Sequence, residues 1–298
     1  MDLTPSPMQE DFRDAAIAWL TDAMPLQQAR ARPASIWQGM ATMGLLNLTA
    51  PDMDAGHATE ALIFAELGRF LSPVAAISTA FAARWVGTTG KVALAIPVGN
   101  RLRILDPEGC LGAIGQWGKQ AGTAVLPDHL ILTPSLDPGT AQMVLDPGPK
   151  PVLSDDPRAA CHLQLLAAAY ALGTADAARD MACAYALVRE QFGKAIGSFQ
   201  AIKHMCADMA VRTAVARSQL YFAACALDEN AADAAYHSAV AKRLCDSAAL
   251  DNARANIQVH GGIGMTDEAA PHLCLKRAHL LTFVAPVATA DLLAAWPD

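Results

Sequence analysis

Two short stretches carry residue types that could hold a ligand. The first is Arg189-Glu190-Gln191-Phe192-Gly193, continuing through Ser198-Phe199-Gln200 to Lys203-His204. It falls where one long helical pattern ends and another begins. An arginine at a helix end offers a fixed charge and a planar fork to a phosphate, and the aromatic ring beside it can pack on the ligand. A glycine helix cap with a core phenylalanine accounts for the same spacing without a ligand. The second stretch is Gln258-Val259-His260-Gly261-Gly262-Ile263-Gly264-Met265. Glycines after a helix permit positive φ and let the backbone come close to a bound molecule. A glycine-rich helix cap is the plainer explanation. No strand precedes the glycines, so they are not a dinucleotide-binding fingerprint. No metal site is expected, because no histidine–carboxylate pair shows ligand spacing. His204 and His260 fall at helical ends and are expected to be structural, and Asp267 and Glu268 to be solvated.

The elements that must position these stretches differ along the chain. Residues 8 to about 88 read as helical, with the stripe Phe12, Ala15, Ala16, Trp19, Leu20 at helical spacing. Pro33 and Ser35 open a second helix that closes at Gly44, and Leu62 to Arg69 form a third that stops before Pro73. From about Gly90 to Arg158, the runs Val92–Ile96, Leu102–Leu105 and His129–Leu132 read as short strands between Gly, Pro and Asp. The tail from Asp146 to Pro157 reads as a linker with turn chemistry. Long Ala-rich helical patterns then return: His162 to Arg189, broken at Gly173, then Ile202 to Leu227 and Ala232 to His260. Apolar residues on several faces mark these as helices of a bundle or an interface.

Composition narrows the classes. The chain has 298 residues, a prior of about two domains at about 150 residues each. With 53% hydrophobic and 17% charged residues, it is neither disordered nor solvating. A net charge of −7 argues against generic nucleic-acid binding. No apolar run reaches the roughly 18 residues of a membrane span, and the acidic, proline-bearing start MDLTPSPMQEDF is unlike a signal peptide. The expectation is a cytoplasmic protein without a membrane partner. Its seven cysteines are expected to be reduced, small core residues.

Taken in order with Trp37, Met43-Gly44-Leu45, Pro51, Glu66-Leu67-Gly68-Arg69 and Pro73, the two stretches resemble the acyl-CoA dehydrogenase family. The resemblance covers about residues 5–85 and 160–280, and REQFGKAIGSFQAIKH is its most diagnostic piece. It implies a mainly α fold with a small β domain. An N-terminal α-helical domain would span 1–88, a reduced β-rich middle domain 89–158, and a C-terminal four-helix bundle 159–298 that forms the oligomer interface. It also implies FAD shared between subunits. Arg189, Gln191 and Phe192, with Phe199 and Gln200 beside them, would reach the diphosphate and adenosine side of a neighbour's FAD. Gln258, Gly261 and Gly262 would add to the same surface.

The chain departs from the family where chemistry is done. The family's base is a glutamate on the loop after the Gly-Gly-x-Gly segment, where this chain has Thr282-Phe283-Val284-Ala285-Pro286. Some members place it early in the first bundle helix, where this chain has His162-Leu163-Gln164-Leu165. No catalytic residue is therefore assigned. In the middle zone only Trp117 and Thr123 of GQWGKQAGT are candidates for flavin or substrate contact, and a turn-rich remnant with one packed tryptophan is expected there. The pattern resembles the short subunit, lacking the base, of heterotetrameric dehydrogenases acting on steroid side-chain CoA thioesters. What this implies is a subunit of an FAD-dependent oxidoreductase that performs α,β-desaturation of an acyl-CoA. A paralogous subunit would carry the glutamate, and an electron-transfer flavoprotein would accept the electrons. Two alternatives stay open: a self-sufficient flavoenzyme with an atypical base or monooxygenase-like chemistry, and a flavin-free structural subunit.

Overall fold

A computed structural model describes residues 3–53 and 55–294, so the extreme ends of the 1–88 and 159–298 segments and residue 54 lie outside the described residues. Four helices come first: α1 (Pro7–Ala23), α2 (Ser35–Thr42), α3 (His57–Arg69) and α4 (Ala75–Trp85). Ser6 starts α1 with a capping box, its hydroxyl accepting from the Gln9 N–H while the Gln9 side chain accepts from the Ser6 N–H. Six strands follow: β1 (Ala93–Val98), β2 (Arg101–Leu105), β3 (Ala113–Trp117), β4 (Gln120–Ala124), β5 (Gln142–Leu145) and β6 (Val152–Leu153). They form one sheet in the order β5-β2-β1-β3-β4-β6, with β1 and β3 parallel and the other pairs antiparallel.

The sheet obeys the two-residue alternation of a pleated strand. Leu94, Ile96, Leu105 and Ile114 join the main helical core, while Ala93, Ala95, Ile104 and Met143 build a small second core on the other face. The stretch 129–132 is not a strand. Ile131 and Leu132 are exposed, and pairing of this segment is limited to a single bridge from Thr133 to Gln142 on the outer edge of β5. GQWGKQAGT is a hairpin, β3–β4, turning at Gly118 with φ +61°, not a remnant of turns. Within the expected linker, Val152 and Leu153 pair onto β4, and the Asp156 carboxylate accepts from the Arg158 N–H to cap the next helix.

The remaining chain is helical: α5 (Pro157–Val188), a two-stranded hairpin of β7 (Glu190–Gln191) and β8 (Lys194–Ala195), α6 (Gln200–Asp228), α7 (Ala234–His260), α8 (Pro271–Leu281) and α9 (Thr289–Ala294). Helix α5 is the centre of the molecule and packs on α3, α6, α7 and α8. Its Ala-rich surface lets neighbouring helices approach closely. Gly173 does not break it; it sits where α5 crosses α3, and a Cβ there would stand 1.7 Å from the Ala65 carbonyl oxygen.

Polar clamps tie the three zones together. Asp228, ending α6, accepts from the His57 and Ala58 N–H groups at 2.7 and 3.0 Å and so caps α3. The wholly buried Arg277 of α8 pairs with Asp137 from the β zone and donates to the Ser72 carbonyl (2.6 Å) and the Tyr170 hydroxyl (2.7 Å). Among the described residues no helix is long and apolar enough to cross a membrane.

Candidate functional site

The chain reverses sharply after α5. Arg189 leaves the helix with extended backbone (φ −77°, ψ 124°), its N–H still donating to the Tyr185 carbonyl. The β7–β8 hairpin then turns through Phe192 and Gly193, both with positive φ (+53° and +75°). Successive left-handed residues make the turn that suits a two-residue hairpin. Phenylalanine is an unfavourable choice for it, because its Cβ crowds the backbone at positive φ. Phe192 is also 91% exposed, touching only the edge of Phe199 at 6.2 Å between ring centroids. A strained, exposed aromatic residue marks a surface built to meet something.

The end of α7 faces this hairpin. Gly261 terminates the helix at φ +66° and leads into a 3-10 turn, Gly261–Met265. Between the two elements lies an open cavity of about 400 Å³ lined by Tyr185, Arg189, Gln191, Ile196, Val259, His260, Gly261, Gly262 and Ile263. Arg189, Gln191, Gly261 and Gly262 therefore converge from opposite sides. Gln258, Phe192, Phe199 and Gln200 do not line the cavity. Gln258 and Gln200 are exposed on the adjoining helix ends, and Phe199 precedes α6 with the Lys194 ammonium 4.5 Å from its ring centre.

Tyr185 and His260 are additions that spacing did not single out as a pair. Their rings stack at 4.1 Å with 20° between planes, forming a flat wall. His260 Nδ1 lies 2.9 Å from the Asn256 carbonyl, and burial holds the imidazole below its usual pKa, so the neutral ring donates from Nδ1 and keeps Nε2 as an acceptor. Tyr185 stands one helical turn before Arg189, which was the available clue.

The residues that line the cavity could hold the diphosphate of a flavin. Arg189 is an exposed cation, and a Cβ built on Gly262 meets nothing within 4 Å. The fold's own packing thus does not require glycine at 262, and the missing side chain leaves the backbone open to a bound molecule.

The two places where a base was sought meet at Gln116. Its Nε2 lies 3.3 Å from the Pro286 carbonyl, and its Oε1 accepts from Gln164 Nε2 at 3.4 Å. The carboxylate nearest His162 in the bonding pattern is Glu60, a residue the sequence reading passed over. Trp85 Nε1–H donates to His162 Nδ1 (3.0 Å), which places the imidazole proton on Nε2, and Nε2 donates to Glu60 Oε2 (2.5 Å). Thr49 donates to the other carboxylate oxygen (3.0 Å), and His57 Nδ1 stands 3.8 Å from Oε2. His57, Glu60 and His162 have the composition of a metal site. The Trp85 bond argues for a proton-sharing network instead, because a metal on Nε2 would leave Nδ1 protonated and facing another donor. Glu60 and His162 have no exposed surface, so they brace α3 against α5 and α4 and do not reach a substrate.

Residues 162–285 match the family described as acyl-CoA dehydrogenase, C-terminal domain. Acyl-CoA dehydrogenase FadE34 of Mycobacterium tuberculosis is 34% identical over 278 residues, covering 82% of this chain and 39% of the relative. The chain spans about two fifths of the length of the curated relatives it matches. Among solved structures, the ChsE4-ChsE5 complex from Mycobacterium tuberculosis superposes with a TM-score of 0.77 at 19% identity, covering 100% of both chains. The Tcur3481-Tcur3483 steroid dehydrogenase variant gives 0.77 at 20% identity, covering 97% and 96%. At these identities the structures share the fold.

Proposed function

The chain belongs to the acyl-CoA dehydrogenase family, and on that premise we propose that it is the subunit, lacking a base, of a hetero-oligomeric FAD-dependent acyl-CoA dehydrogenase. A paralogous partner supplies the glutamate that removes a proton α to the thioester. This chain completes the partner's FAD site, and an electron-transfer flavoprotein receives the electrons. One observation carries the reading: Arg189, Gln191, Gly261 and Gly262 converge on one open cavity, while the Thr282–Pro286 loop and the start of α5 offer no carboxylate. The two-protein names of ChsE4-ChsE5 and Tcur3481-Tcur3483 support a mixed assembly, and the latter's description supports a steroid-like acyl group.

Bound flavin supplies a hydride acceptor for the β-carbon. The work of this chain is to hold and orient. Arg189 neutralises one diphosphate charge with a planar, doubly donating guanidinium. Gly261 and Gly262, having no side chains, would let the backbone come close to the ligand. The Tyr185–His260 wall offers a flat face to an aromatic ring, and Phe192 and Phe199 would lie toward the adenosine side of the partner's FAD.

The test is made on the chain co-expressed with a paralogous partner. Arg189→Ala should weaken FAD retention about 10- to 100-fold, the size expected for losing a charge-assisted contact, and Gly262→Ala should weaken it as well, because its methyl group would stand where the ligand approaches the backbone. Their melting temperatures without flavin should match the parent, since both sites are exposed and Gly262 has open space around it. Unchanged flavin absorbance per complex in both variants would overturn the proposal.

A further inference from the structure

The cysteines are all free thiols, and their surroundings divide them. Cys161, Cys245 and Cys274 are buried among apolar neighbours. Cys110 is half-buried and donates to the Asp106 carbonyl. Cys183 and Cys206 differ in having each other. Cys183 stands five residues before the end of α5 at Val188, and Cys206 six residues after the start of α6 at Gln200. The two helices pack side by side as they lead away from the β7–β8 hairpin, which brings together thiols 23 residues apart in sequence. The Cys206 S–H donates a hydrogen bond to the Cys183 sulfur. Both side chains are half-buried, so a small solute can reach them.

A disulfide requires two side chains that lean toward each other, and a thiol–thiol hydrogen bond already ensures that. The bond also sets the order of events. Burial, reinforced by the Cys183 sulfur, pushes Cys206 up to about 11, so Cys206 keeps its proton near neutral pH. Cys183 receives the hydrogen bond, and a hydrogen bond to a sulfur favours its anion. We propose that Cys183 and Cys206 form a redox-active dithiol that a hydroperoxide converts to a disulfide, Cys183 attacking and Cys206 resolving. The Cys183 thiolate attacks an oxygen of hydrogen peroxide; the O–O bond breaks, the sulfur becomes a sulfenic acid, and hydroxide leaves. Cys206 then attacks the sulfenic sulfur; the S–O bond breaks, and the oxygen departs as water with the Cys206 proton. Two thiols lose two electrons, and one peroxide gains them. The new bond ties α5 to α6 at the foot of the hairpin that carries Gln191. This site is independent of the flavin reading, because neither cysteine lines the Arg189 cavity.

The complete chain, reduced and then freed of reductant, is treated with hydrogen peroxide near neutral pH, denatured, alkylated and digested for mass spectrometry. A peptide pair joined through Cys183 and Cys206 within one chain should be the main cross-link, with Cys161, Cys245 and Cys274 still alkylated. Dithiothreitol should restore both thiols. In Cys206→Ser, Cys183 should accumulate as the sulfenic acid and be captured by dimedone. In Cys183→Ser, Cys206 should be captured at least about tenfold more slowly, because it holds its proton. Absence of the Cys183–Cys206 cross-link in the parent would overturn the proposal, as would capture of Cys206 in Cys183→Ser as fast as that of Cys183 in Cys206→Ser.

Discussion

Gly173→Ala should destabilise the chain by about 3 kcal/mol, the upper part of the range for overpacking a closed core. Helix propensity alone predicts the opposite sign, since alanine within a helix is favoured over glycine by about 1 kcal/mol. The difference lies in what the new methyl group meets. At 173 it would stand 1.7 Å from the Ala65 oxygen and 2.5 Å from the Arg69 nitrogen; at Gly68 of the facing helix, 2.0 Å from the Tyr170 oxygen. These are backbone atoms in two helices, so no side chain can swing aside. Relief requires α3 and α5 to move apart, and both Gly68→Ala and Gly173→Ala force the same separation. The double variant should therefore cost clearly less than the sum of the singles. Denaturant midpoints of the four proteins decide it. A neutral or stabilising Gly173→Ala would show that the crossing is looser than described.

His162→Phe should cost about 3–5 kcal/mol near neutral pH, the loss expected when a buried carboxylate is left without its hydrogen-bond donor. Burial by itself would raise Glu60, but its interaction with His162, hydrogen bond included, with help from His57, brings it down to about 2. Burial holds His162 below the usual imidazole range, in agreement with the tautomer that Trp85 selects. The signs then follow from linkage. Below about pH 6.5 the unfolded chain takes a proton on His162 that the folded chain refuses, so stability falls with acidity. Below about 4.5 the unfolded chain also protonates Glu60, which stays ionised in the fold until about pH 2; the stability that Glu60 contributes is lost over that window. In His162→Phe the buried Glu60 has lost the group that kept it ionised, so acid relieves the variant. The gap between parent and variant should shrink from pH 7 to pH 4 in urea titrations. A loss under 1 kcal/mol, or a gap that widens with acid, would contradict the network.

How much was legible in the sequence depended on how local the signal was. The helix ending at Arg69, the one opening at Ser35 and strands β1 and β2 rest on periodicity and turn residues a few positions apart, and they fold where those signals put them. Gly173 was misread because a glycine in a helical pattern has two meanings, a stop or a close crossing, and only the position of Ala65 on α3 separates them. The stretch 129–132 has strand-like residues, yet the sheet has no buried face for Ile131 and Leu132, and only Thr133 just beyond them bridges to the edge strand β5. Glu60 and His57 stand three residues apart on one helical face, but His162 lies about a hundred residues away, so the cluster exists only in three dimensions. At the Arg189 cavity the chemistry-bearing residues were visible as types. The wall of Tyr185 and His260 was not, because it forms only when the ends of α5 and α7 meet.

The central claim is that flavin is held across a subunit boundary while proton removal belongs to the partner. The most direct measurement is FAD content and acyl-CoA turnover for this chain alone, the paralogous partner alone, and the two co-purified. The account predicts that the mixed complex retains FAD and dehydrogenates the thioester, and that this chain alone does neither. An isolated chain that keeps its own FAD and desaturates an acyl-CoA would contradict it.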